Sequence, residues 1–237
     1  MQPELNAVGQ AGVGTSPVLV DSARQHRVLR NTYWLLALTM IPTVIGALFG
    51  ATFAFGPIFR NYPILAPIGM FAIMLGLLFG VSAARNSGLG VALIFVFTFV
   101  AGFFLGPILQ VATGLRNGGQ LIGLAGGMTA VILFTMAGIA TVTKKDFSFL
   151  GKFLFIGLIL LIVASLANVF FQIPALQLTL SAVSVLIFSA YILYDVSNII
   201  HGGETNYVMA TVNLYLSIYN IFVSLLNLLM AFSGQRD

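Results

Sequence analysis

Residues 191–227 read YILYDVSNIIHGGETNYVMATVNLYLSIYNIFVSLLN, and their reading decides the fold. An apolar helix end runs into a short Gly202–Gly203 turn, and a second long apolar helix returns from it. The first helix holds Asp195, the one carboxylate of the chain that has to lie within an apolar run. The second carries Asn213, Ser217, Asn220, Ser224 and Asn227 at spacings of 4, 3, 4 and 3, which places all five on one narrow helical face. Leu216, Ile218, Phe222, Leu225 and Leu228 fill the rest of the circumference. An acid on one helix thus faces a polar seam on the next.

Composition sets the class. The chain has 237 residues, 59% hydrophobic and only 7% charged, with a mean hydropathy of +1.05. A soluble domain of this size has too little polar surface for such a content, so the chain reads as a polytopic protein of the lipid bilayer. Twenty-five glycines dispersed through apolar runs fit closely packed helices. A barrel would instead alternate polar and apolar positions along each strand. The absence of cysteine removes disulfides, thiolate metal sites and cysteine nucleophiles together. The formal charge of +4 reads as loop charge that sets orientation, with no patch suited to nucleic acid.

Residues 1–30 are small, polar and poor in aromatics, and are expected to form a disordered cytoplasmic tail ahead of a transmembrane domain at 31–237. From Tyr33 onward seven apolar runs are long enough to span, near 33–55, 62–84, 89–112, 119–141, 149–171, 175–200 and 207–232. Short connections make sequence neighbours antiparallel. Pro107, inside the third run, is expected to kink it. With the N-terminus cytoplasmic, the inner segments hold Arg24, Arg27, Arg30, Arg85, Lys144, Lys145 and Lys152, against Arg60, Arg116 and Arg236 outside. That excess satisfies the positive-inside rule and leaves the C-terminus periplasmic.

Four glycine pairs at i, i+4 fall one in each of the first four spans: Gly46/Gly50, Gly76/Gly80, Gly102/Gly106 and Gly123/Gly127. Such faces let backbones approach. The early helices are expected to pack through small residues and the last two through polar ones.

Asp195 shares a face with Tyr191, Asn198 and Ser184. It lies about 8–9 Å below the inner boundary, with Asn213 and Ser217 at comparable depth on the returning helix. An ionised carboxylate there is costly without a partner or water. His201 stands at the membrane edge. Two readings stay open: Asp195 is one more protonated stitch among Asn and Ser rows that join helices at about 0.6 kcal/mol per bond, or it marks an ion or proton path. Enzyme readings find no support. Tyr194-Asp195 resembles the YD of intramembrane aspartyl proteases, but no second acid lies within a span, and no zinc, serine-nucleophile or phosphate-loop motif is present. No cofactor is implied.

The hairpin resembles the signature end of the Bax inhibitor-1 (TMBIM) family, and its HGGETNY turn resembles the bacterial YccA-type branch. FLGPIL at 104–109, KKDFSFLGKFL at 144–154 and VLRNTYWLL at 28–36 resemble the same branch. The resemblance implies seven helices, the last central and wrapped by the other six. It implies an inner-membrane protein that binds and slows the AAA protease FtsH, which enters through the N-terminal tail. Other members are pH-sensitive calcium leaks, in which two aspartates share a proton and pair with an arginine. By that resemblance Asp195 matches the first aspartate and Arg85 the arginine, while Ser217 stands where the second aspartate would be. One acid cannot form a proton-sharing pair of like charges, so protease modulation leads and a calcium or proton leak follows.

Overall fold

The computed structural model describes residues 17–234, with side chains placed from Ala23 to Ser233. Nine helices run through this range: α1 (Pro17–Thr52), α2 (Phe55–Asn61), α3 (Leu65–Ala84), α4 (Gly88–Phe104), α5 (Gly106–Thr113), α6 (Gly118–Thr143), α7 (Leu150–Phe171), α8 (Pro174–Ile200) and α9 (Tyr207–Gly234). Seven spans are long and apolar enough to cross a membrane, with α4 and α5 together making the third. The break between them falls at Leu105, two residues before Pro107, so the third run is interrupted where the proline was expected to disturb it.

Two boundaries differ from expectation. Residues 1–16 lie outside the described range, but the next fourteen are helical, so α1 starts well before residue 30. After Pro17, a residue suited to a first helical turn, this stretch holds no glycine or proline to stop a helix. Its packing fixes it: buried Val28 clusters with Ile199 and Ala210, over the α8–α9 turn. The short helix α2 was also unexpected. Its buried Phe55 joins Phe53 and Phe103 in an aromatic cluster, with ring centroids 4.9 and 5.2 Å away.

The glycine pairs divide. Gly46, Gly50, Gly102 and Gly106 form the crossing of α1 with α4 and α5. A Cβ on Gly46 would strike the Phe99 carbonyl, and one on Gly102 would strike that of Thr43. Nothing lies within 4 Å of a Cβ at Gly76, Gly123 or Gly127. Two pairs therefore seat a neighbour within the chain, and two do not. At the far end of this crossing Gln110 Nε2 donates to the Phe53 carbonyl at 2.6 Å, with those of Gly50 and Ala51 at 3.1 and 3.3 Å. It closes carbonyls that the end of α1 leaves open.

Helix α9 lies inside the bundle, against α1, α3, α4, α5, α6 and α8. Five of the six other spans surround it, not all six as expected. The exception is α7, which packs on α8 instead. Gly151 lets α7 sit against the Tyr194 ring, and Gly157 faces Ile187. Helix α8 therefore stands between α7 and the centre.

Candidate functional site at the α8–α9 hairpin

The turn at 201–206 is built from specific backbone bonds. The Gly203 N–H donates to the Asn198 carbonyl at 2.9 Å, and the Gly202 N–H to that of Ile199 at 3.2 Å. This is the paired closure of a helix ending on a left-handed residue, and Gly202 takes that place at φ +79°. Gly203 is restricted for a different reason, since a Cβ there would run into Asn198 Oδ1.

Asn206 then starts α9. Its Oδ1 accepts from the backbone N–H groups of Val208 and Met209 at 3.0 and 3.1 Å, a helix cap. Its Nδ2 donates to the Arg85 carbonyl at 3.1 Å and to Asn86 Oδ1 at 2.8 Å. One side chain therefore begins the last helix and ties it to the end of α3.

The α6–α7 loop closes against the end of α8. Ser197 Oγ donates to the Lys145 carbonyl at 3.2 Å and accepts from the Phe147 N–H at 3.0 Å. His201 Nδ1 lies 2.8 Å from the Ser197 carbonyl, and Nε2 lies 3.2 Å from that of Lys144. Carbonyl oxygens only accept, so each of these bonds needs a hydrogen on the ring nitrogen that makes it. At the membrane edge, where the sequence places it, this histidine joins the α6–α7 loop to the end of α8.

Asp195 is buried one turn above this closure, and its Oδ2 has no hydrogen-bond partner. Tyr191 stands beside it, half-buried and in ring contact with Phe188 and Tyr194. Arg85 is exposed at the end of α3, a helix not packed against α8, and it does not pair with Asp195. The next carboxylate along the chain is Glu204, in the turn rather than on α9. Glu204 Oε1 in turn accepts from the Asn206 N–H at 2.7 Å. Among the described residues no cluster of three or more His, Asp or Glu is placed to hold a metal ion.

The seam of α9 is interior: Ser217 and Ser224 are buried, and Asn213, Asn220 and Asn227 half-buried. It is not where α9 is joined to its neighbours, however. Asn220 Nδ2 donates to the Leu216 carbonyl of its own helix at 2.8 Å. The bonds between helices come from another line of residues. Tyr215 OH lies 2.9 Å from Thr43 Oγ1 and donates to the Thr98 carbonyl at 3.3 Å. Thr211 Oγ1 bonds the Tyr207 carbonyl at 2.7 Å, with that of Thr32 at 3.4 Å. Asn117 Nδ2 donates to Ser233 Oγ at 2.8 Å near the far end. The i, i+4 hydroxyl spacing of Thr211, Tyr215 and Tyr219 was legible in the sequence, beside the more conspicuous asparagines.

Seven spans enclosing a buried acid define the class: a polytopic helical membrane protein whose one intramembrane carboxylate sits on its last hairpin. The chain belongs to the family described as Inhibitor of apoptosis-promoting Bax1, which matches residues 25–234. It is similar to the protein named Modulator of FtsH protease YccA of Escherichia coli K12, with 46% identity over 205 residues, 86% of this chain and 90% of that one. An uncharacterized membrane protein of Vibrio cholerae is 41% identical over 86% of this chain and 89% of its own length. An uncharacterized protein of Pseudomonas aeruginosa is 44% identical over 85% and 87%.

Proposed function

We propose that this chain is an inner-membrane modulator of the membrane-anchored protease FtsH, binding and slowing it with no catalysis of its own. The observation that carries the reading is the 46% identity, across nearly the whole of both chains, to a protein named for that role. The bundle is compatible with it: Tyr215, Thr43, Asn117 and Ser233 are used in joining helices. The protease enters through the N-terminal tail, and the N-terminus, the Gly202–Gly203 turn and the loop at 144–149 face the cytoplasm. Reporter fusions at residues 117 and 203 check that orientation, and a cytoplasmic signal at 117 reverses it.

The test is direct. FtsH should co-purify with the tagged chain from detergent-solubilised membranes, and degradation of a model membrane substrate should slow when the purified chain is added. Deleting residues 2–20 should leave the bundle folded and lengthen its lifetime in cells that contain FtsH. Absence of both association and slowing would end this reading.

The second reading is a pH-sensitive calcium or proton leak. The unpartnered oxygen of Asp195 favours it, since an apolar interior rarely keeps an unpaired acid without use. Ser217 in place of a second acid, and Arg85 exposed away from Asp195, weigh against it.

A further inference from the structure

Helix α1 follows the N-terminal tail directly, and it is tied into the bundle along its length. It packs against α4, α5, α8 and α9, whereas α3, the next span along the chain, is not among its partners. The first two spans therefore cannot leave together as a hairpin. Withdrawal of α1 has to break contacts with helices that lie much later in the sequence. Three ties hold it at three levels. At the tail end, buried Val28 clusters with Ile199 and Ala210. Near the middle, Thr43 Oγ1 lies 2.9 Å from the Tyr215 hydroxyl. At the far end, Gln110 Nε2 donates to the Phe53 carbonyl at 2.6 Å, beside those of Gly50 and Ala51. From Val28 to Ala51 these ties cover about 35 Å of helix, the full depth of the hydrocarbon core.

Glycines between the middle and far ties fix the axial position of α1. A Cβ on Gly46 would strike the Phe99 carbonyl, and one on Gly50 would strike that of Phe103. A pull of one turn toward the tail, about 5.4 Å, brings Gly50 to the place of Gly46. It also brings Phe53 and Ala54 toward the place of Gly50, where a Cβ has no room. The crossing of α1 with α4 therefore resists sliding as well as separation.

A motor that pulls a chain from one end meets the local stability of the first element before that of any other. We infer, on the reading that this chain binds and slows FtsH through its tail, that α1 is an extraction lock. The protease takes hold of the tail, stalls on α1, and is withheld from other substrates while it stalls.

The test uses purified FtsH with ATP and the full chain in detergent micelles. Three quantities are read: association, degradation of the chain itself, and slowing of a model membrane substrate. Val28→Ala, Thr43→Val and Gln110→Leu each remove one tie and leave the sequence of the tail intact. Each should speed degradation of the chain by about fivefold, the factor that one such tie controls, and weaken the slowing to match. Association should not change. Asn168→Ala is the control. Asn168 accepts from the Ile173 N–H at 3.0 Å and donates to Gln177 Oε1 at 3.1 Å, at the end of α7, a helix that α1 does not pack against. With rates compared equally far below each variant's unfolding midpoint, Asn168→Ala should leave degradation slow. Repeating residues 1–16 ahead of Met1 lengthens the tail and should also leave it slow. Tie variants that associate and are degraded as slowly as the wild type overturn the lock and leave the modulator reading standing. Equal speeding by Asn168→Ala makes general stability the limit and overturns the lock as well. Faster degradation with the longer tail moves the limit from α1 to the tail. No association of the wild-type chain ends the modulator reading and the lock with it.

Discussion

The hydroxyl of Tyr215 on α9 lies 2.9 Å from Thr43 Oγ1 on α1, joining the last helix to the first within the interior. Each hydroxyl has one hydrogen to give and, besides the other hydroxyl, one carbonyl in reach. Thr43 also faces the Thr39 carbonyl at 2.7 Å, and Tyr215 faces that of Thr98 at 3.3 Å. Three spans therefore share one network, and Tyr215, 1% exposed, stands at its centre. Tyr215→Phe keeps the ring against Phe97 and removes the shared hydroxyl. It should cost about 1 kcal/mol. Tyr215→Ala adds a cavity and should cost about 3–5 kcal/mol. Thermal unfolding in detergent compares them; equal losses would mean that the hydroxyl, not the ring, carries the contact.

The glycines allow a sharper comparison. Gly102→Ala places a methyl group against the Thr43 backbone, which has no flexible end to yield, so α1 and α4 must separate. Gly76→Ala meets open space and should be neutral or stabilising by up to about 1 kcal/mol, the helix propensity of alanine over glycine. Folded yield after solubilisation should fall sharply for the first and not for the second. If both variants behave alike, the α1–α4 crossing is not set by backbone approach.

What the sequence disclosed and what it hid follow from the range of the forces involved. Spans were legible because hydropathy is a local sum, and the ends of six of them fall within a few residues of expectation. The start of α1 was not, because Arg24, Gln25 and Arg27 read as solvent-facing tail until Val28 is seen packed on Ile199. Asp195 was conspicuous as a charge in an apolar run. Asn206 was not, although an asparagine one residue before an apolar helix is a capping signal. Its second role, toward Arg85 and Asn86, is a contact across more than a hundred residues that no local pattern contains. The asparagine and serine seam drew attention as the polar face, yet threonine and tyrosine make most of the joins. Their hydroxyls sit on side chains large enough to pack as apolar ones do.

The loop at 144–149 should respond to acid. Hydrogen bonds from the Ser148 hydroxyl and N–H, the latter at 2.8 Å, hold the Asp146 carboxyl below the ordinary carboxylate range. A depressed value in the fold means that the ionised group contributes order at neutral pH, and that this is lost only as pH falls through about 4 and below. Amide exchange at 145–149, corrected for intrinsic rate, should be the same at pH 7 and pH 5 and rise below about pH 4. Asp146→Asn should remove that acid step. Ser197→Ala should raise exchange at every pH, because it detaches the Phe147 N–H and the Lys145 carbonyl from α8. A step that persists in Asp146→Asn would assign it to another group.

Asp195 separates a stitch from a path. As a protonated stitch it both donates and accepts, which asparagine does in nearly the same volume. Asp195→Asn should then change stability by no more than about 1 kcal/mol and leave protease modulation intact. As an ion or proton site the group has to carry charge, and asparagine cannot, so flux would vanish while the fold survives. Glu204 stands in the turn that follows the helix of Asp195, so Glu204→Gln belongs in the same series. We expect weak or no calcium flux from the wild-type chain in liposomes. Ser217→Asp, which restores a second acid on the facing helix, should introduce pH-dependent flux where there was little, because two acids in contact titrate as a pair. Strong pH-gated flux from the wild type, abolished by Asp195→Asn or Glu204→Gln, would remove the stitch and promote the leak over the modulator.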